Sequence, residues 1–320
     1  MKRFFSAVRV AALFVGSVVG AGFATGQEIA LFFAGGDVLT HLFSALFMGG
    51  SCLVFMEAGA LLRRGESIVN ALVALSSFVV YAAMIAAAED ILSSLFSVRG
   101  LSFLLAAGSA ALSLRDIGKL SLLNVIAVPL IAVMVICVGA RGASLTGGQF
   151  RPLSALAYGA MNTLFSGALM AKEGEKMSRG ERILCGVTVS ALLFLLLFFM
   201  SRAVRGNEGA MPFLSAAKKT GAELSAPITL LLAIITTMTS CNYLITQEMR
   251  PLTKDGFLAA ALPLLAGLLL AAWGFQNVVT YLYPAVSALA LGYSLLVFFL
   301  FGREKLSRFP IRLRPFPRRE

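Results

Sequence analysis

The stretch Gly16-Ser17-Val18-Val19-Gly20-Ala21-Gly22-Phe23-Ala24-Thr25-Gly26-Gln27-Glu28 sets four glycines and two strongly polar residues inside an otherwise apolar, membrane-crossing run. Each glycine weakens a helix by about 1 kcal/mol relative to alanine. A helix broken at membrane depth frees N–H and C=O groups, which is tolerated only where they line a cavity or hold something. Half-helix N-termini then offer amide dipoles to an anionic group, while unwound carbonyls suit a cation. Close packing is the competing reading, since Gly16 and Gly20, and again Gly22 and Gly26, stand at small-xxx-small spacing. Gln27 and Glu28 tilt the balance toward a site, because an ionisable side chain within an apolar run is costly unless it serves one. A dinucleotide-binding reading of the glycines fails, because no strand precedes them.

Outward from this stretch the whole chain has a membrane composition: of 320 residues, 58% are hydrophobic and 13% charged, against roughly 25% charged in a soluble domain. A span needs about 20 apolar residues, so the length accommodates ten. After the first, broken one, runs follow at 38–62, 68–97, 101–114, 117–140, 154–171, 183–200, 226–246, 257–274 and 277–301. The basic start, Met1-Lys2-Arg3, imitates a secretory signal, but the apolar pattern resumes through Ile29 to Ala34, as in one interrupted span. Alternating the runs from a cytoplasmic N-terminus puts 20 of the 27 basic residues inside, among them Arg63, Arg64, Arg115 and Lys119. That bias obeys the positive-inside rule and predicts both termini in the cytoplasm of a bacterial-type inner-membrane protein. Ten spans with both ends inside permit two inverted five-helix repeats, at about 4–140 and 154–301. A single membrane domain, 1–302, then precedes a basic tail, 303–320, which remains cytoplasmic. The loop 201–225, with Pro212, Phe213, Leu214 and Ala217, predicts a short helix over the outer mouth.

The net charge of +11 falls in clusters between apolar runs, which argues against nucleic-acid binding. Cys52, Cys137, Cys185 and Cys241 have no metal-ligand spacing and read as small buried hydrophobes. His41, the sole histidine, reads as an interfacial polar residue, so no His-based triad or metal centre can be assembled. No HExxH, nucleotide loop or paired nucleophile and base is present, so the chain is not expected to be an enzyme.

Polar residues recur in three other spans. Tyr158, Asn162, Ser166 and Gly167 interrupt span six, where an inverted repeat calls for a second break. Asn162 is the leading candidate there for contact with substrate, the alternative being an interhelical hydrogen bond. Span eight carries the hydroxyl run Thr236-Thr237-Met238-Thr239-Ser240, which suits either a hard cation or bonding back to its own helix. Glu57 and Asp90 read as interfacial, Glu89 as facing an outer vestibule, and Glu28 as the carboxylate best placed to exchange a proton. Trp273 fits an aromatic belt, and Pro284 predicts a kink beside Tyr281 and Tyr283.

The broken stretch resembles the first helix of the amino acid-polyamine-organocation superfamily, and the GAGFATGQE run, within the ten-span pattern, resembles the YkvI-type membrane proteins. This resemblance implies the leucine-transporter fold, an all-α membrane protein with helices 1 and 6 broken near the midplane. It also implies a secondary active transporter working by alternating access on an amino acid or similar small zwitterion. By the same likeness Gly20, Ala21, Gly22, Phe23, Tyr158, Asn162 and Ser166 bind substrate. Coupling or gating falls to Gln27, Glu28 and Glu89. A cation site draws carbonyls from Gly16, Val19 and Thr236 and hydroxyls from Thr239 and Ser240. Phe23 stands where sodium-coupled relatives have an asparagine ligand, so at most one sodium ion is expected, as coupling ion, with no other cofactor. Proton-coupled relatives place a lysine in span five, where Lys119 is the only candidate. A non-transporting scaffold is the third reading.

Overall fold

The computed structural model describes residues 2–308 apart from 63–65, 116, 208 and 210. Arg63, Arg64, Asp116 and the tail from residue 309 therefore lie outside the described residues.

Each of the expected apolar runs falls on helix. The first becomes three pieces, α1 (Lys2–Val18), α2 (Ala21–Ala24) and α3 (Gln27–Phe33). Next come α4 (Val38–Leu62), α5 (Glu66–Phe96), the short α6 (Ser102–Ser113) and α7 (Ile117–Ala140). The second half contains α8 (Pro152–Gly174), α9 (Arg179–Val204), α10 (Pro212–Lys219), α11 (Ser225–Thr253) and α12 (Gly256–Ala271). The last segment starts with α13 (Phe275–Asn277), widens into a π-turn at Val278–Leu282 and continues as α14 (Tyr283–Arg308). Pro284 has no N–H to give the carbonyl four residues back, which accounts for the widened turn where a kink was expected. α14 runs six residues past the tail boundary expected at 302, through a segment of good helix formers.

Among the described residues six helices are long and apolar enough to cross a membrane: α4, α5, α7, α9, α11 and the α13–α14 segment. At 12 residues α6 rises only about 18 Å, short of the roughly 30 Å hydrocarbon layer. Exposed apolar stripes mark the lipid-facing sides. On α7, Leu122, Ile126, Leu130 and Val133 are all more than half exposed and stand at helical spacing, a pattern stable in hydrocarbon and not in water. The centre belongs to α5 and α11, whose apolar windows are 72% buried. The chain is thus an all-helical, multi-pass membrane protein.

The expectation of a broken sixth span is wrong. α8 is one continuous 23-residue helix. Two of its polar side chains bond to their own backbone: Asn162 Nδ2 donates to the Tyr158 carbonyl (3.0 Å), and Thr163 Oγ1 to that of Gly159 (2.8 Å). Gly159 and Gly167 let α4 approach, since an added Cβ would press on Phe47 or Phe55. The glycine and hydroxyl pattern read as a break is here a packing face.

Two smaller expectations also change. Cys137 is exposed, whereas Cys52, Cys185 and Cys241 are buried. His41 is fully buried: Nδ1 meets the Asp37 carbonyl (2.6 Å), Nε2 meets Ser201 Oγ, and the ring stacks on Phe33. Asp37 caps α4 by accepting from the Thr40 N–H and hydroxyl, both at 2.8 Å. Partial desolvation works to raise the Asp37 pKa, and these hydrogen bonds outweigh it and hold the carboxyl below its usual value.

Candidate functional site

The first span is interrupted twice. Val19 N–H still reaches the Val15 carbonyl (2.8 Å), but Gly20 N–H turns to Val18 (2.9 Å), and a new helical turn starts when Ala24 N–H finds Gly20 (2.7 Å). The second interruption lies at Gly26, whose φ of 82° is left-handed and suits glycine. Phe213 N–H of α10 bonds to the Thr25 carbonyl there (2.9 Å), so the expected loop helix packs directly on the turn.

Each flanking glycine admits a polar neighbour. A Cβ on Gly16 would overlap the Asn124 amide of α7, one on Gly20 would press on Thr237 of α11, and one on Gly22 would overlap the Glu28 carboxyl. Thr237 Oγ1 also donates to the Gly16 carbonyl (3.1 Å). Ser17 Oγ meets Ser166 Oγ at 2.8 Å, joining α1 to α8 beside the break. α1 and α8 are joined again at the C-terminal end of α8, where the buried Glu173 carboxylate meets Arg9 (3.4 Å) and also Lys176 (3.0 Å).

Glu28 therefore folds back from α3 against the unwound segment. Two fully buried phenols stand within its electrostatic reach, Tyr158 from α8 and Tyr283 from the start of α14. Glu28 Oε2, Tyr158 Oη and Tyr283 Oη are all buried without a hydrogen-bond partner, as is Gln27 Oε1. Phe32 and Phe33 pack on the Tyr158 ring at 5.7 and 5.0 Å. Phe33 also lines a cleft of about 190 Å³, together with Ile29, Ala30, Ser201 and Arg205.

The structure thus brings together Gly16, Gly20, Gly22, Glu28, Tyr158 and Ser166. Phe23 is buried in the same core, and Val19 and Ala21 belong to the broken backbone. Three other expectations fare differently. Glu89 lies apart, accepting from the Gly100 and Ser102 amides at 2.6 and 3.3 Å, and so ties down the turn before α6. Asn162 serves its own helix. Thr236, Thr239 and Ser240 donate to the carbonyls of Ala233, Ile235 and Thr236. Sequence reasoning missed Thr237, Asn124 and Tyr283 as neighbours of the break. Thr237 sat inside the noted hydroxyl run, and Tyr283 had been noted only for its proline neighbour. The span-five residue that meets the break is Asn124, and the side chain of Lys119 lies outside the described residues.

This arrangement of helices has a counterpart among solved structures. A solved structure of MHP1, a nucleobase-cation-symport-1 family transporter in a closed conformation with bromovinylhydantoin bound, is similar to it. The TM-score is 0.55 and the identity 18%, over 89% of this chain and 75% of that one. No family model matches the sequence, and no curated protein matches it.

Proposed function

We propose that the protein is a secondary active transporter that moves a small polar solute by alternating access around the broken first helix. The observation that carries this reading is the double interruption at Val19–Gly20 and Thr25–Gly26, flanked by buried polar groups from α8, α11 and α14. Non-helical backbone at membrane depth is tolerated where it is buried in protein or lines a cavity, and the polar groups gathered here favour a binding role. The transporter fold supports the same conclusion. The proposal retains ten crossings as two inverted five-helix repeats in a bacterial-type inner membrane, with both termini cytoplasmic and with only one repeat opening with a broken helix. Amino acids and related zwitterions are the proposed cargo. Counterflow in proteoliposomes tests the function: labelled amino acids exchanging against an internal unlabelled pool support it, and no exchange across a broad panel favours a scaffold.

One sodium ion is the proposed coupling ion. Thr239 and Ser240 each give their proton to a helix carbonyl, which leaves hydroxyl lone pairs able to accept a cation, and the proposed site also draws on the carbonyls of Gly16 and Val19. Replacing Ser240→Ala together with Thr239→Val should abolish the rise in melting temperature in sodium chloride over potassium chloride. An unchanged sodium response in that variant would defeat the ion site.

A further inference from the structure

Three buried oxygens from different parts of the chain lie within electrostatic reach of one another beside the broken helix, Glu28 Oε2, Tyr158 Oη and Tyr283 Oη, and none makes a hydrogen bond of good geometry, although the Tyr158 phenol stands close enough to act on the Glu28 carboxyl. Glu28 comes from α3 and Tyr158 from the middle of α8. Tyr283 follows a π-turn, an irregularity that re-aims the next residues and is frequent at functional sites. Buried polar atoms are ordinarily satisfied, so three in one cluster need an explanation. Among the described residues no cationic side chain acts on Glu28; the one side-chain group that does is the neutral Tyr158 phenol. A buried carboxylate without a counter-charge is costly, and an incoming cation removes the cost.

We infer that Glu28, Tyr158 and Tyr283 form the recognition site for a primary ammonium group of the transported solute. The inference rests on the transporter reading for its purpose, but binding at the site is measurable without transport. An ammonium head presents three N–H donors and no acceptor, and the cluster presents three oxygens able to accept. A metal ion fits less well: Ca²⁺ wants six or more oxygens and Mg²⁺ a near-ideal octahedron, and no group of three or more acidic, His or Cys side chains occurs among the described residues. The position of the carboxyl also bears on orientation. It lies against Gly22, so a carboxylate docked on the Gly22 amide would stand beside a like charge. The positive end of a zwitterion belongs at Gly22 and Glu28, and its remainder points toward the Ser17–Ser166 contact. The rings of Phe32 and Phe33 pack on that of Tyr158, and apolar surroundings of this kind strengthen an ion pair formed at the buried carboxyl.

The test is thermal stability of the purified full chain against ethylamine, ethanolamine, glycine, γ-aminobutyrate and putrescine. Tetramethylammonium, sodium and acetate serve as controls. At least one primary amine should stabilise the protein at millimolar concentration, and tetramethylammonium, which has no N–H donor, should not. Glu28→Gln keeps the shape and should raise the half-saturating amine concentration at least tenfold. Tyr283→Phe, which removes one acceptor and leaves the carboxyl, should raise it severalfold and serves as the second arm if the first variant fails to fold. Stabilisation by none of the five amines, equal stabilisation in the variants, or a response to sodium alone would overturn the inference. Amine binding without counterflow would uphold the site and count against the transport reading.

Discussion

Gly22→Leu abolishes solute binding while leaving a folded, monodisperse protein. A side chain at Gly22 grows into the space held by the Glu28 carboxyl, which is the end of a flexible side chain and can move aside. The backbone at Gly22 is not left-handed, so leucine introduces no torsional strain there. The cost falls on the site. Displacing the carboxyl removes the charge that faces the bound solute, and the leucine fills the approach to it. A loss of binding beyond a hundredfold is expected, equivalent to about 2.7 kcal/mol. Thermal stabilisation by the amine panel, read beside a size-exclusion profile, checks both halves of the statement. Normal uptake or unchanged stabilisation in this variant would remove the unwound segment from the binding site.

Gly26→Val is expected to act in the opposite way, on the fold before the function. Gly26 has φ 82°, which costs a side-chain-bearing residue about 1–2 kcal/mol and a β-branched one more. Its Cβ would also overlap Val204 of α9 and crowd the Phe213 amide of α10, which holds the Thr25 carbonyl. Overpacking of that kind costs typically 1–3 kcal/mol, so the two effects together come to about 3 kcal/mol. The melting temperature in detergent should fall by roughly 5 °C. A variant as stable as the parent would mean that the turn after the break can be built without glycine and that α10 does not depend on it.

Much of this architecture was readable because membrane helices advertise themselves by length and hydropathy. The run expected at 38–62 is α4 and that at 117–140 is α7, with the same limits. The broken first helix was readable too, because glycines followed by Gln27 and Glu28 combine weak helix propensity with a charge that has no reason to be in lipid. The sixth span was misread because a hydroxyl or amide that bonds to its own helix and one that replaces a broken bond look alike in sequence. Only the position of α4 against Gly159 and Gly167 separates the two cases. In span eight, Thr236, Thr237, Thr239 and Ser240 point around the helix about 100° apart per residue. Composition cannot say which of them faces α1, and the structure selects Thr237. Tyr283 was invisible as a partner of Glu28, since they meet only through folding of the whole chain.

The central claim is that the broken helix lies on a path open alternately to each side of the membrane. Ser17 is fully buried at the end of α1, against Ser166. A Ser17→Cys variant, made with Cys52, Cys137, Cys185 and Cys241 replaced by alanine, can be exposed to a membrane-impermeant maleimide in right-side-out and in inverted vesicles. The account predicts slow labelling from both faces. Protection from both faces, or reaction from one face alone, would contradict it.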